Sequence, residues 1–204
     1  MSKPTASLAI LEARDGVAAG MLKRASERRR ERDWKKMQEL DIQISIEDDG
    51  WPPEPALQAL CERVLGAAAD YLAGYEGQPF PDMVPEVSLV FTDDAAIREI
   101  NAEWRNQDKP TNVLSFPAFP LTPGGVPGPM LGDIVIARQT VEREADELSK
   151  TFEEHLTHLL VHGFLHLFGY DHMDASEAEI MEGLETRILA SLGLSDPYAG
   201  QDPI

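Results

Sequence analysis

Only one cysteine, Cys61, occurs in 204 residues, so an intrachain disulfide framework is excluded. A single thiol fits a reducing compartment, and here it reads as a small buried side chain on a helix rather than a nucleophile. No run of 18 or more apolar residues is present, which excludes a membrane-spanning helix. The apolar stretch Leu8 to Leu11 is broken at once by Glu12 and Arg14, too short for a signal-peptide core. Histidine is absent before position 155 and after position 172. With 43% hydrophobic and 26% charged residues, the chain has the usage of an ordinary soluble protein, and its length suits one domain with a tail.

Positive charge is also scarce. Eighteen Lys and Arg face 36 Asp and Glu, a net charge of −18, which at face value argues against nucleic-acid binding. The imbalance is uneven along the chain. Residues 1–36 hold ten bases and five acids, a net +5, whereas the remainder holds eight bases and 31 acids, a net −23. Residues 1–38 are therefore expected to be a basic extension, helical or mobile, and residues 39–204 the working domain. With a net −23 on the remainder, any phosphate ligand would depend on its few bases clustering around one cleft.

The order of elements reads directly from periodicity. Leu40 to Glu47 alternates apolar and polar residues, as a strand does. Asp48-Asp49-Gly50 makes a turn, and Pro52, Pro53 and Pro55 lead into a helix ending near Gly74. Strands are expected at Val87–Phe91, Asn112–Phe116 and Asp133–Ala137, the last covered on both faces. Thr92 or Asp93 caps a helix running to about Trp104. Three further helices follow: Arg138 to about Lys150, Thr151 to Phe168, and Ala175 to Leu192. The last is expected to bury Ile180, Leu184 and Ile188 and to start with a Ser176–Glu179 capping box. The sum is an α+β domain, with helices packed on a four-stranded mixed sheet.

All five histidines fall within an 18-residue window of that last third. At about 100° per residue, His158, His162 and His166 lie roughly 60°, 20° and 20° from His155, on one stripe. His162 and His166 are at i and i+4, where two imidazoles can share an ion. Gly169 allows the chain to reverse, and His172 then folds back as a third ligand. Three imidazoles with a fourth position left to water is the pattern of a catalytic zinc site. His155 and His158 are not read as ligands. Asp171 either orients an imidazole or caps the turn. The zinc peptidases of similar spacing place a glutamate base after the first histidine; here Gly163 stands there and can accept no proton.

The run His162-Gly163-Phe164-Leu165-His166-Leu167-Phe168-Gly169-Tyr170-Asp171-His172 resembles the signature of the YbeY family of bacterial rRNA-maturation endoribonucleases. Asn101 to Arg105, Lys109 to Pro117, Gly132-Asp133-Ile134 and Met181 to Glu185 are similar to other stretches of that family, a likeness running from about Leu40 to Tyr198. Asn112 stands where aspartate is commoner and Trp104 where tyrosine is usual, and the basic stretch before Met37 lies outside the family core.

The resemblance implies a zincin-like arrangement with one zinc ion per chain on His162, His166 and His172. It also implies single-strand-specific cleavage in 16S rRNA 3′-end maturation and late ribosome quality control, in the cytoplasm. The expected partners are small-subunit rRNA and the ribosome or its small-subunit proteins, with neither membrane nor DNA. The family's catalytic arginine maps to Arg105, where a guanidinium can clamp a phosphate or offset transition-state charge. Two rivals are a ribosome-assembly factor with a mainly structural zinc and, more remotely, a zinc peptidase.

Overall fold

The alternating stretch after Leu40 forms strand β1 (Asp41–Ile46), half-buried on every second residue in the computed structural model, which describes residues 39–199. The expected basic extension, residues 1–38, lies outside the described residues. Helix α1 (Glu54–Tyr71) follows and buries Leu57, Cys61, Val64, Leu65, Ala68 and Ala69. A π-helical turn over Leu72–Glu76 closes it. Next come β2 (Glu86–Thr92), α2 (Asp94–Arg105), β3 (Val113–Pro117) and β4 (Met130–Ala137). The last third is helical: α3 (Arg138–Glu147), α4 (Phe152–Leu167) and α5 (Ala175–Ser191).

The four strands make one sheet in the order β1-β2-β4-β3. β1 runs parallel to β2 and β2 to β4, whereas β3 is antiparallel to β4 and forms an edge. The α+β class with helices on a four-stranded mixed sheet is as expected. β4 is covered on both faces because alternate residues meet different helices. Val135, with Leu114 opposite it on β3, packs against Ile97 of α2 and Ala137. Ile134 and its partner Ser115 point the other way, onto Gly163 of α4.

α4 is the central helix and has buried residues on nearly every side, including Leu156, Leu160, Val161, Phe164 and Leu165. Its start is fixed by a reciprocal cap. The Thr151 hydroxyl accepts from the Glu154 N–H, and the Glu154 carboxylate accepts from the Thr151 N–H. Asp93, not Thr92, caps α2 by accepting from the Ala96 N–H at 2.8 Å.

Two expectations for α5 fail. Its cap is Asp174, which accepts from the N–H groups of Ser176 and Glu177, so the helix begins two residues too early for a Ser176–Glu179 box. Ile180 is 54% exposed. The buried stripe is Met181, Leu184, Glu185, Ile188 and Leu189, and Ile180 lies about 100° from Met181 around the axis.

Candidate metal centre

α4 carries His155, His158, His162 and His166, and the chain's exit from that helix brings in His172. The exit is a Schellman turn: the Gly169 N–H bonds to the His166 carbonyl at 3.0 Å, and the Tyr170 N–H to the Leu165 carbonyl at 3.2 Å. Gly169 takes φ 80°, and a Cβ there would lie 2.1 Å from the Leu121 carbonyl oxygen, so glycine is required twice over. The turn returns His172 to the helix, with its ring centroid 5.3 Å from His162 and 5.2 Å from His166. One nitrogen from each of the three rings lies within 4.8 Å of the others.

Two of the three tautomers are set by neighbours. His162 Nδ1 donates to Glu185 Oε1 at 2.7 Å, and His166 Nδ1 donates to the Tyr170 carbonyl at 2.9 Å. Both Nε2 atoms are thereby left with lone pairs, and they face each other at 3.1 Å. Two ring nitrogens at that distance share either a proton or a metal ion between them. Nitrogens about 2.05 Å from a tetrahedral zinc would be roughly 3.3 Å apart. Burial, then the neighbouring His162 and His172, push the His166 imidazole down to about 4, so it stays neutral and able to ligate. His162, His166 and His172 thus form a group that could hold a metal.

Glu185, fully buried on α5, is the centre of a wider network. Its second oxygen accepts from His158 at 2.8 Å and from the Tyr198 hydroxyl. Burial favours the neutral acid, but the hydrogen bonds from His158 and His162 outweigh it and hold the carboxyl down at about 2. A second carboxylate serves His155. Glu144 Oε2 binds His155 Nε2 at 2.8 Å and accepts from Asn112 Nδ2 at 3.0 Å. His158 is thus tied to His162 through Glu185, whereas His155 has a carboxylate partner of its own. The Asp171 carboxylate accepts from the His172 N–H at 2.8 Å, and its charge also acts on the His166 imidazole.

Gly163 proves to be a packing requirement as well as a missing base. A Cβ there would meet Ile134 Cγ2 at 2.9 Å and Ser115 Oγ at 3.1 Å, so the helix lies against the sheet with no room for a glutamate. Arg105 is not brought to the trio by any hydrogen bond or ion pair. It ends α2, exposed, on the sheet face opposite α4, beside the edge strand β3. Glu185 was the functional side chain missed in the sequence. A carboxylate amid the apolar stripe of Met181, Leu184 and Ile188 was the signal available.

Fold and site together define a class: an α+β domain whose central helix and following turn bring together three imidazoles that could hold one metal ion. The family model for the endoribonuclease YbeY matches residues 31–193, and the chain belongs to the YbeY family. An endoribonuclease YbeY of Rhizobium johnstonii is 76% identical over 166 residues, which cover 81% of this chain and 97% of that protein. One from Agrobacterium fabrum is 74% identical over 168 residues, covering 82% of this chain and all of its own. Among the described residues no helix is long and apolar enough to cross a membrane.

Proposed function

We propose that this chain is a zinc-dependent endoribonuclease that cuts single-stranded RNA, with one ion on His162, His166 and His172. In the cell it would act in the cytoplasm on small-subunit rRNA, in 16S 3′-end maturation and late ribosome quality control, in contact with the ribosome or its small-subunit proteins. The observation that carries this reading is the convergence of one nitrogen each from His162, His166 and His172, within 4.8 Å of one another, in a chain of this family. When bound there, a divalent ion supplies Lewis-acid chemistry at a phosphate oxygen.

The protein's own groups supply the rest. Glu185 and the Tyr170 carbonyl hold two imidazoles with their lone pairs inward. Arg105 makes no ion pair among the described residues, so its guanidinium is free to take a non-bridging phosphate pair bidentately. A peptidase reading loses its base to Gly163 and has no space in which to regain it.

Metal analysis and cleavage of a single-stranded RNA oligonucleotide test the proposal. His166→Ala should lose both metal and cleavage. Arg105→Ala should keep the metal and lose roughly 100-fold or more in rate. Full activity in Arg105→Ala, together with unfolding on chelation, would favour an assembly factor with a structural zinc. The product ends, read by mass spectrometry, show whether a 2′,3′-cyclic phosphate forms and hence whether the 2′-hydroxyl is the attacking group.

A further inference from the structure

Trp104 is 67% exposed at the end of α2, yet its ring is not loose. It packs edge-on against Phe116 of β3, with centroids 5.6 Å apart and planes at 62°, and Phe116 in turn joins the cluster of Ile97, Leu114 and Val135. The loop that follows is equally fixed. Buried Asn101 donates to the Lys109 carbonyl at 2.8 Å, and Arg98 grips Asp108 at 2.6 and 3.0 Å.

The charges at this corner are unusual for so acidic a protein. Residues 39–199 contain eight Lys and Arg. Five arginines pair with carboxylates, and Lys150 donates to the Pro197 carbonyl. Arg105 and Lys109 make no side-chain hydrogen bond or ion pair with any described residue. Two cations without a side-chain partner thus lie close in sequence to one exposed indole, Arg105 next to it and Lys109 in the loop fixed to Asn101, with Glu103 the adjacent acid. An aromatic face beside free cations suits a ligand that is itself a chain of π-faces and phosphates.

Position links this corner to the metal centre. Phe116, under Trp104, is next in sequence to Ser115, which touches Gly163 beside His162. Trp104 and the helix that carries His162 and His166 therefore pack on opposite faces of one edge strand, so an RNA single strand that engages both has to pass over that edge. We infer that Trp104, with Arg105 and Lys109 close in sequence, is a base-stacking platform that seats an unpaired nucleotide near the one being cut. The inference rests on the endoribonuclease reading and names the group that makes it selective for unstacked RNA.

Steady-state cleavage of a single-stranded oligonucleotide by wild type, Trp104→Leu and Trp104→Phe, all with metal content measured, tests it. Trp104→Leu should raise KM roughly five- to hundred-fold with kcat nearly unchanged, and Trp104→Phe should recover most of the loss. Abasic substitutions along the oligonucleotide should reveal one position that wild type senses and Trp104→Leu does not. Equal KM values, or the same abasic profile in both proteins, would overturn the platform. Should Trp104→Leu misfold by circular dichroism, RNA-induced fluorescence quenching decides. The quenched component must vanish in Trp104→Phe, and its full retention refutes the assignment. Wild type that neither binds nor cuts RNA would instead sink the endoribonuclease reading.

Discussion

His162 and Glu185, 23 residues apart on neighbouring helices, meet through an Nδ1–H to Oε1 hydrogen bond of 2.7 Å. One carboxylate thereby fixes the tautomer of a ligand imidazole while its other oxygen holds His158 and Tyr198. Glu185→Gln keeps the shape but removes the charge, and should weaken metal binding about 10- to 100-fold, measured by competition with a chelator. Unaltered affinity would show that the carboxylate merely fills space. The sign of the pH dependence follows from the carboxyl being held at about 2, below its ordinary 4.5. Stability conferred by the anion is complete above about pH 4.5 and is lost as the pH falls towards 2. Glu185→Gln should therefore show a flatter loss of Tm on acidification than wild type.

Gly163 lies where α4 presses on the sheet. Alanine is normally the better helix former by about 1 kcal/mol. Here its methyl group would come within 2.9 Å of a branch carbon of Ile134, on a stiff, paired strand. Overpacking of this kind costs about 1–3 kcal/mol, so Gly163→Ala should lower the urea midpoint despite its propensity. Gly163→Glu, which would restore the peptidase pattern, should fail to fold rather than gain peptidase activity. A stabilised Gly163→Ala would mean that the two elements separate easily.

Cys61 is fully buried on α1. Burial, then the charge of Glu62, pushes its thiol up to about 12. Only about one molecule in 10⁴ then carries a thiolate at pH 8. Ellman's reagent should therefore leave the folded protein untouched for minutes and titrate one thiol per chain in denaturant. Prompt stoichiometric reaction in the native state would contradict both the burial and the shift.

The strands, the central helix and the metal trio were legible because each is local. The alternation after Leu40 is a period of two, and His162, His166, Gly169 and His172 obey the geometry of one helix and one turn. What escaped depends on which elements pack together. Nothing within α5 says that Glu185 will face two histidines of α4. Whether Ile180 or Met181 faces inward is a rotation of one residue, decided by the neighbour and not by the helix. Asp171 was undecided between capping and chemistry for the same reason, since both uses begin with the same exposed carboxylate after a turn.

Asn112 provides the sharpest electrostatic test. Its Oδ1 accepts from the Val113 N–H at 2.7 Å, and its Nδ2 donates to Glu144 Oε2, the oxygen that also receives His155. Asn112→Asp keeps the first bond and turns the second into a contact between two carboxylates. Burial raises the Glu144 carboxyl, but the bonds from His155 and Asn112 more than offset this and leave it lowered, so wild type keeps a charged acid there at neutral pH. In the variant one of the two carboxyls must sit above its unfolded pKa. The resulting penalty is absent below about pH 4 and grows as the pH rises through the folded value. Thermal melts of the two proteins should coincide near pH 4 and separate by roughly 2–8 °C at pH 8, for a penalty of about 1–2 kcal/mol. A gap that stays constant across that range would show that Asn112 and Glu144 are not electrostatically coupled.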